Sequence, residues 1–226
     1  MTFPTGLFPR DREKALTSFE FIDIASGSAV TNFYGGMKLN DGLTPTYVLS
    51  NGTFWSDYVA TGVKSTSTTF GVRQELNFDA TFDKPLRIEG EIVMNIPYAQ
   101  QRDGGPETML SFPECRLFHL DADSNETQIG NTVSGATLSG DSTQKQHNAC
   151  MSVTAPLTGF KAGEGLRLEI KNYGKTTLGT GYYFIGHDPK QRTAATGEEL
   201  VDTVSATWSA TDPSQLILKV PIKLDI

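Results

Sequence analysis

The segment Leu216–Ile226 (LILKVPIKLDI) decides the fold class. Leu216, Leu218, Val220, Ile222, Leu224 and Ile226 are apolar at every second position, while Lys219, Lys223 and Asp225 fall between them. Alternation of this kind sends successive side chains to opposite faces of a β-strand, one buried and one wet. Pro221 belongs to the outward set. It has no N–H for a ladder, so the sequence predicts a strand at an edge, or one whose missing donor faces solvent.

The same period recurs upstream. Leu86, Ile88, Ile92, Met94 and Ile96 oppose Arg87, Glu89, Glu91 and Asn95, and Leu76, Phe78, Ala80 and Phe82 alternate with Asn77, Asp79 and Thr81. Leu166, Leu168 and Ile170 repeat the pattern, and shorter strands are predicted around Phe19–Ile24, Cys115–Leu120, His147–Val153 and Tyr182–Ile185. Val30–Leu39 reads as a strand interrupted at Gly35-Gly36 by a bulge or turn. Asn40-Asp41-Gly42 and Asn51-Gly52 are turn signals, the second predicting a hairpin between Tyr47–Leu49 and Phe54–Tyr58. Lys64–Thr69 and Gln100–Thr108 read as polar loop or exposed edge. Asp121–Lys145, rich in Ser, Thr, Asn, Asp and Gly, reads as a hairpin plus a long loop and as the surface that varies with function. Only Asp11–Leu16 suggests a helical turn. The expected fold is therefore all-β: an antiparallel β-sandwich, jelly-roll-like, formed by one domain over residues 19–226. Residues 1–18 precede it as an extended N-terminal arm.

Composition narrows the function classes. A chain of 226 residues buries roughly 70–75% of its extended surface and needs neither disulfide nor metal to hold a core. The net charge of −7, with no basic run, argues against a nucleic-acid partner, which would need a basic patch against phosphate. The start of the chain has no signal-type apolar region and no stretch reaches membrane-spanning length, so the expectation is cytoplasmic synthesis and no membrane partner. Cys115 and Cys150 lack metal-motif spacing and read as reduced thiols, a later disulfide being the alternative.

The chain carries few recognisable catalytic patterns. Gly-x-Ser-x-Gly is absent. Gly174-Lys175-Thr176 resembles the end of a phosphate loop, but Glu169 stands where the loop needs glycine, and Phe184 spoils the dinucleotide pattern begun by Gly179-Thr180-Gly181. His119, His147 and His187 form no ligand pair and are favoured as structural. Asp121-Ala122-Asp123-Ser124-Asn125 opens like a calcium loop, yet Glu126 and Thr132 occupy its glycine and bidentate-glutamate positions, which favours a polar turn. Asp121, Asp123 and Glu126 make no case for a glycosidase pair. The sequence thus assigns no catalytic, cofactor or metal residue. The aromatics Phe54, Trp55, Tyr58, Tyr182, Tyr183 and Trp208 either fill core and interface or stack on sugar rings. Trp55 and Tyr183, with Phe3, Leu7 and Phe8 of the arm, are the candidate partner contacts.

Three stretches carry a family resemblance. Val30–Tyr34 (VTNFY) and Tyr47–Leu49 lead to Phe78–Phe82, Pro85 and the strand Leu86–Pro97; Phe160–Leu168 (FKAGEGLRL) precedes Tyr183–Arg192 (YFIGHDPKQR); and Leu218–Ile226 (LKVPIKLDI) closes the chain. In these the sequence resembles structural virion proteins of tailed bacteriophages, common in aquatic phages, though Gln101–Lys145 has no match. The resemblance implies a non-enzymatic role. A capsid decoration or head-fibre protein is favoured, homo-oligomeric with trimers preferred, located in the virion and docked on proteins such as the major capsid protein. A tail or baseplate appendage, or a carbohydrate-binding module contacting host glycans, is the alternative; an unrecognised hydrolase is a third.

Overall fold

The alternating segments pair into fourteen β-strands, and no helix occurs among the described residues. The computed structural model describes residues 14–15, 28–39, 44–102, 108–140, 144–192, 199–201 and 214–223. Strand β1 is Lys14–Ala15 and β2 is Ser28–Leu39. Strands β3 (Pro45–Ser50), β4 (Ala60–Ser65), β5 (Gly71–Phe82) and β6 (Leu86–Arg102) follow. Then come β7 (Met109–Leu120), β8 (Glu126–Ser134), β9 (Leu138–Gly140) and β10 (Gln144–Phe160). The last four are β11 (Gly165–Thr176), β12 (Gly181–Gly186), β13 (Glu199–Val201) and β14 (Leu216–Lys223).

One layer of the sandwich runs β10-β6-β14-β2-β3 and the other β5-β11-β7-β8, with a parallel bridge Val48↔Asp79 joining them. The 17-residue strand β6 organises the first layer. It pairs along its length with β10, while its other edge meets β14 over Arg87–Asn95 and β12 over Tyr98–Arg102; β12 then carries β4 and β13. At the far margin β8 lies against β10. The space a side chain at Gly130 would need is taken by Thr154 O at 2.7 Å, and Gly130 has φ +67°, so both backbone geometry and contact require glycine.

The inward phase of each strand builds one core. Phe33, Ile88, Ile92, Met94, Ile96, Leu216, Leu218, Val220 and Ile222 face Leu76, Phe78, Phe82, Leu117, Leu166, Leu168 and Ile170, all buried. Each such side chain contributes roughly 1.5–3 kcal/mol by leaving water. The layers lock through edge-on rings, Phe33 on Phe82 at 6.2 Å and Phe82 on Phe160 at 5.0 Å. A satellite cluster of Val59, Ala60, Ala99, Tyr182 and Phe184 packs on the other side of β12.

Several expectations need correction. The sheet is mixed, since β1 pairs parallel with Thr81–Phe82 and β13 parallel with β4. Lys14–Ala15 is strand where a helical turn was expected, because β5 offers it a free edge. Gly35 and Gly36 make no bulge: β2 pairs with β3 from Tyr34↔Ser50 to Leu39↔Pro45 without a shift. These glycines are there for close approach, Leu216 lying over the first and Phe54 with Pro189 over the second. Phe54–Tyr58 is not a strand. It crosses beneath β2, where Met37 N donates to Ser56 Oγ (3.0 Å) and Asp57 N to Met37 O (2.9 Å). Gln100–Arg102 extends β6, and Asp121–Lys145 is mostly strand.

The last strand holds the clearest surprise. β14 is an interior strand flanked by β2 and β6, so Pro221 is not at an edge. The β14–β6 ladder slips between Lys219 and Ile222, and Gly90 of β6 (φ +118°) lies against Pro221 with 3.5 Å from the position of a Cβ to Pro221 Cγ. The proline occupies a bulge, where no donor is required. The strand signal at Phe19–Ile24, the arm with Phe3, Leu7 and Phe8, Trp208, and Leu224–Ile226 lie outside the described residues.

Candidate functional site

The outward phase of the second layer is a patterned surface. Arg167 of β11 stands between Asp79 of β5 and Phe118 of β7; Glu169 stands between Asn77 and Arg116; Lys171 stands between Glu75 and Glu114. Opposite charges directly across strands attract, and here they form a lattice. Arg167 donates two parallel bonds to Asp79, Nε–Oδ1 and Nη2–Oδ2 both 2.7 Å, and a third to Glu126 of β8. Lys171 Nζ lies 3.3 Å from Glu169 and 3.5 Å from Glu75, and Arg116 bonds Glu114 at 2.9 Å. The Asp79 hydrogen bonds, against the opposing pull of burial, raise the Arg167 pKa above its usual value. For Lys171, burial pulls the pKa down, but the Glu169 hydrogen bond and the charges of Glu169 and Glu75 outweigh it.

The lattice ends in aromatic residues. Tyr173 pairs across strands with Val72 and Phe112. Phe70 joins them in a nearly parallel stack: Phe112–Tyr173 at 5.3 Å, Phe70–Phe112 at 5.5 Å and Phe70–Tyr173 at 6.1 Å between centroids. Arg73 is the extra residue in the β5–β11 register there, and its Nε donates to Gly174 O (2.7 Å). The turn after β11 is tied to the same end by Thr176 N to Ser67 O (3.1 Å) and Thr177 N to Thr108 O (3.0 Å), and it carries Leu178. Phe70, Val72 and Leu178 are 42%, 43% and 65% exposed, three of the six large apolar side chains left open among the described residues. Clustered apolar exposure beside polar surroundings marks an interaction surface.

The three histidines share no partner with one another among the described residues. His187 is fully buried, its Nε2 2.8 Å from Thr61 Oγ1, which in turn meets Tyr47 OH at 3.1 Å. Its ring lies edge-on to Tyr47, and its Nδ1 has no hydrogen-bond partner among the described residues. Burial drives its pKa down to about 3, so the imidazole is neutral. The neighbouring Asp188 is engaged instead by Arg192 (3.1 Å). His119 Nε2 sits 2.7 Å from Glu164 Oε2, which also accepts Lys161 N at 2.8 Å and closes the turn before β11. That backbone bond, with His119 adding to it against burial, holds the Glu164 pKa below the ordinary range. His147 is exposed, edge-on to Tyr98. No cluster of three metal-ligating side chains occurs among the described residues. Asp121 spends its carboxylate inside its own turn, Oδ1 accepting Asp123 N (2.9 Å) and Asn125 N (2.8 Å), as a polar turn requires.

Of the residues singled out in the sequence, Trp55 is 66% exposed, with the Arg192 guanidinium 4.2 Å above its ring. Tyr183, put forward as a partner contact, is fully buried with its ring over Gly174. Tyr182 is buried as well. Sequence reasoning passed over Phe70, Phe112 and Tyr173, which lie far apart along the chain. The available signal was phase: Phe112 and Tyr173 are aromatics in the outward positions of strands whose inward positions were already apolar.

No protein-family model and no curated protein matches this chain. Solved structures do. An aminopeptidase from a marine sediment Thaumarchaeota archaeon matches with TM-score 0.51 and 8% identity over 88% of this chain and 37% of its own. A selenomethionine-labelled α-amino acid ester hydrolase matches with TM-score 0.51 and 9% identity over 85% and 36%. A CocE/NonD family hydrolase from Staphylococcus aureus gives TM-score 0.47 and 16% identity over 85% and 37%. The likeness is one of fold. The chain spans little more than a third of the length of these proteins.

Proposed function

We propose that this protein works by docking and not by catalysis, as a structural component of a tailed-phage virion. The observation that carries the docking half is the aromatic end of the outer face, where Phe70, Val72 and Leu178 stay open beside the Phe112–Tyr173 stack. Rings held in a stack lose little side-chain freedom on binding, which favours such residues at the centre of interfaces. The charged lattice beside it is internally neutralised in part, so it supplies a rigid floor for that end. The virion half rests on the sequence resemblance, with decoration of the head preferred over a tail or baseplate position. The partner is then another virion protein such as the major capsid protein.

A second reading is favoured by one observation. Trp55 is exposed and stacked by Arg192, an arrangement that suits a sugar ring or a charged glycan. It makes the chain a module contacting host-surface glycans. A hydrolytic role, suggested by the names of the similar structures, would need a nucleophile and base in reach of substrate, and the Thr61–His187 pair is shut inside the sandwich.

Co-sedimentation of the purified chain with particles lacking it tests the proposal. Wild type should bind, and Phe70→Asp should lose binding at least tenfold while keeping its circular dichroism spectrum. Binding unaffected by Phe70→Asp but lost in Trp55→Ala moves the case to the glycan surface. Turnover of amino-acid esters or peptides that disappears in His187→Gln overturns both.

A further inference from the structure

The outer face of the first layer carries a pattern that the proposed docking end does not use. Two of the three ladders of β6 slip at the same level: the β14 ladder between Lys219 and Ile222, and the β10 ladder between Ala155 and Thr158, around Gly90. The paired bulges crease the sheet across β14, β6 and β10, and β2 continues the line through its unshifted ladder with β14. Along that crease lie Val30 of β2, Pro221 of β14, Gly90 of β6 and Leu157 in the bulge of β10. Val30 is 67% and Leu157 59% exposed, at the two ends of the line.

Charge is sorted by strand between those ends. β14 presents the bases Lys219 and Lys223, and β6 presents the acids Glu89 and Glu91. Lys223 and Glu89 pair at 3.3 Å, whereas Lys219 and Glu91 have no ion-pair partner among the described residues. Of the two bases on β6, Arg102 lies at the far end beside β12, and Arg87 lies beyond the crease opposite Lys223 and is already engaged. Across the layer the order is apolar, base, acid, apolar.

We infer that this face is a twofold interface for a second copy of the chain. A twofold axis along the strands, between β14 and β6, exchanges β14 with β6 and β2 with β10. Lys219 of one copy then meets β6 of the other at the level of Val93, two residues from Glu91, an offset of about 7 Å that the long lysine and glutamate side chains span, and Val30 falls within about one residue step of 3.4 Å from Leu157. The tilt of roughly 30° between face-packed sheets accommodates that offset. Such self-complementarity is what an isologous contact requires. A same-sign face would repel its copy, and a face with both signs on one strand would not match under this operation.

Size sets the strength. Four strands at about 4.8 Å spacing and seven residues at about 3.4 Å give roughly 450 Å² per copy, against about 800 Å² per partner in a standard stable complex. The dimer is therefore weak and reversible, with Kd roughly micromolar or above, and forms where copies are concentrated. Edge-to-edge pairing through β10 is disfavoured, since Pro156 and the bulge interrupt that edge. The inference is independent of the virion reading and gives a dimer, not the trimer that the family resemblance suggested.

Sedimentation velocity on the full chain from about 1 to 300 μM tests it, a range that brackets weak interface strengths. A concentration-dependent monomer–dimer equilibrium is expected. Lys219→Glu and Glu91→Lys should each weaken it about tenfold by placing like charges in contact twice per dimer, and the double variant should regain it to within about threefold. Recovery in the double variant cannot come from misfolding. Val30→Asp, at a position open to water, should abolish the dimer with its thermal unfolding unchanged. A monomer throughout, a trimer, or a dimer that ignores these changes and is lost in Phe70→Asp overturns the inference.

Discussion

Replacing His187 by glutamine should remove a large part of this protein's sensitivity to mild acid. His187 is fully buried, wedged against Tyr47 and Phe78, with one ring nitrogen on Thr61 and the other without a partner among the described residues. Its pKa is pulled from 6.5 to about 3 by burial. A group whose folded pKa lies below its unfolded one lends stability that is complete above the unfolded value and drains away as pH falls towards the folded value. The window for His187 is therefore pH 6.5 down to about 3. At about 1.4 kcal/mol per pH unit, acidification from pH 7 to pH 5 costs roughly 2 kcal/mol through this residue alone. Glu164 and Asp121 are held low, so what they lend is lost only in the more acidic carboxylate range. Urea unfolding at pH 7, 6 and 5 measures the loss in wild type and in His187→Gln. The variant is less stable at pH 7 because the ring is gone, but its stability should fall by about 2 kcal/mol less between pH 7 and 5. Equal slopes in the two proteins, or a histidine NMR titration placing His187 near 6.5, would mean that burial does not depress this imidazole.

Three further outcomes follow from the same geometry. Native thiol labelling should modify Cys150 and spare Cys115, which is fully buried and whose thiol burial pushes far up, the charges of Glu114 and Glu169 adding to it; denaturation should expose both. Gly130→Ala should lower stability by roughly 1–3 kcal/mol in thermal or urea unfolding, because its methyl meets Thr154 O and its backbone is left-handed. Arg167→Ala leaves Asp79 and Glu126 facing each other without their cation and should cost about 1–2 kcal/mol, a loss that shrinks as salt is raised; no salt dependence would mean that the lattice adds nothing.

Much of the fold was legible because its strands are half-buried. Leu216–Lys223, Leu86–Pro97 and Leu76–Phe82 each show their inward face as a period of two, and all three lie in the core. What misled was local signals whose meaning is set elsewhere in the chain. Gly35 and Gly36 look like a break but make room for Leu216 and Phe54, and Pro221 looks like an edge marker but sits in a bulge against Gly90. Asn51-Gly52 turns the chain out of β3 into a crossing segment, which a hairpin signal cannot reveal. The candidate site was the least legible part. Phe70, Phe112 and Tyr173 are brought together by the β5–β11–β7 register, and Tyr183 is hidden by packing over Gly174. Registers between distant strands are fixed by the whole pattern of burial, not by neighbouring residues.

The role proposed for the chain is that of a docked component of a virion. A reconstruction of particles purified from cells that express the chain, with its sandwich fitted to density, puts that role to the test. Repeated copies are expected on the head, with the Phe70–Phe112–Tyr173 end turned towards a neighbouring virion protein. Absence of the chain from the purified particle, or that end facing open solvent in every copy, would contradict it.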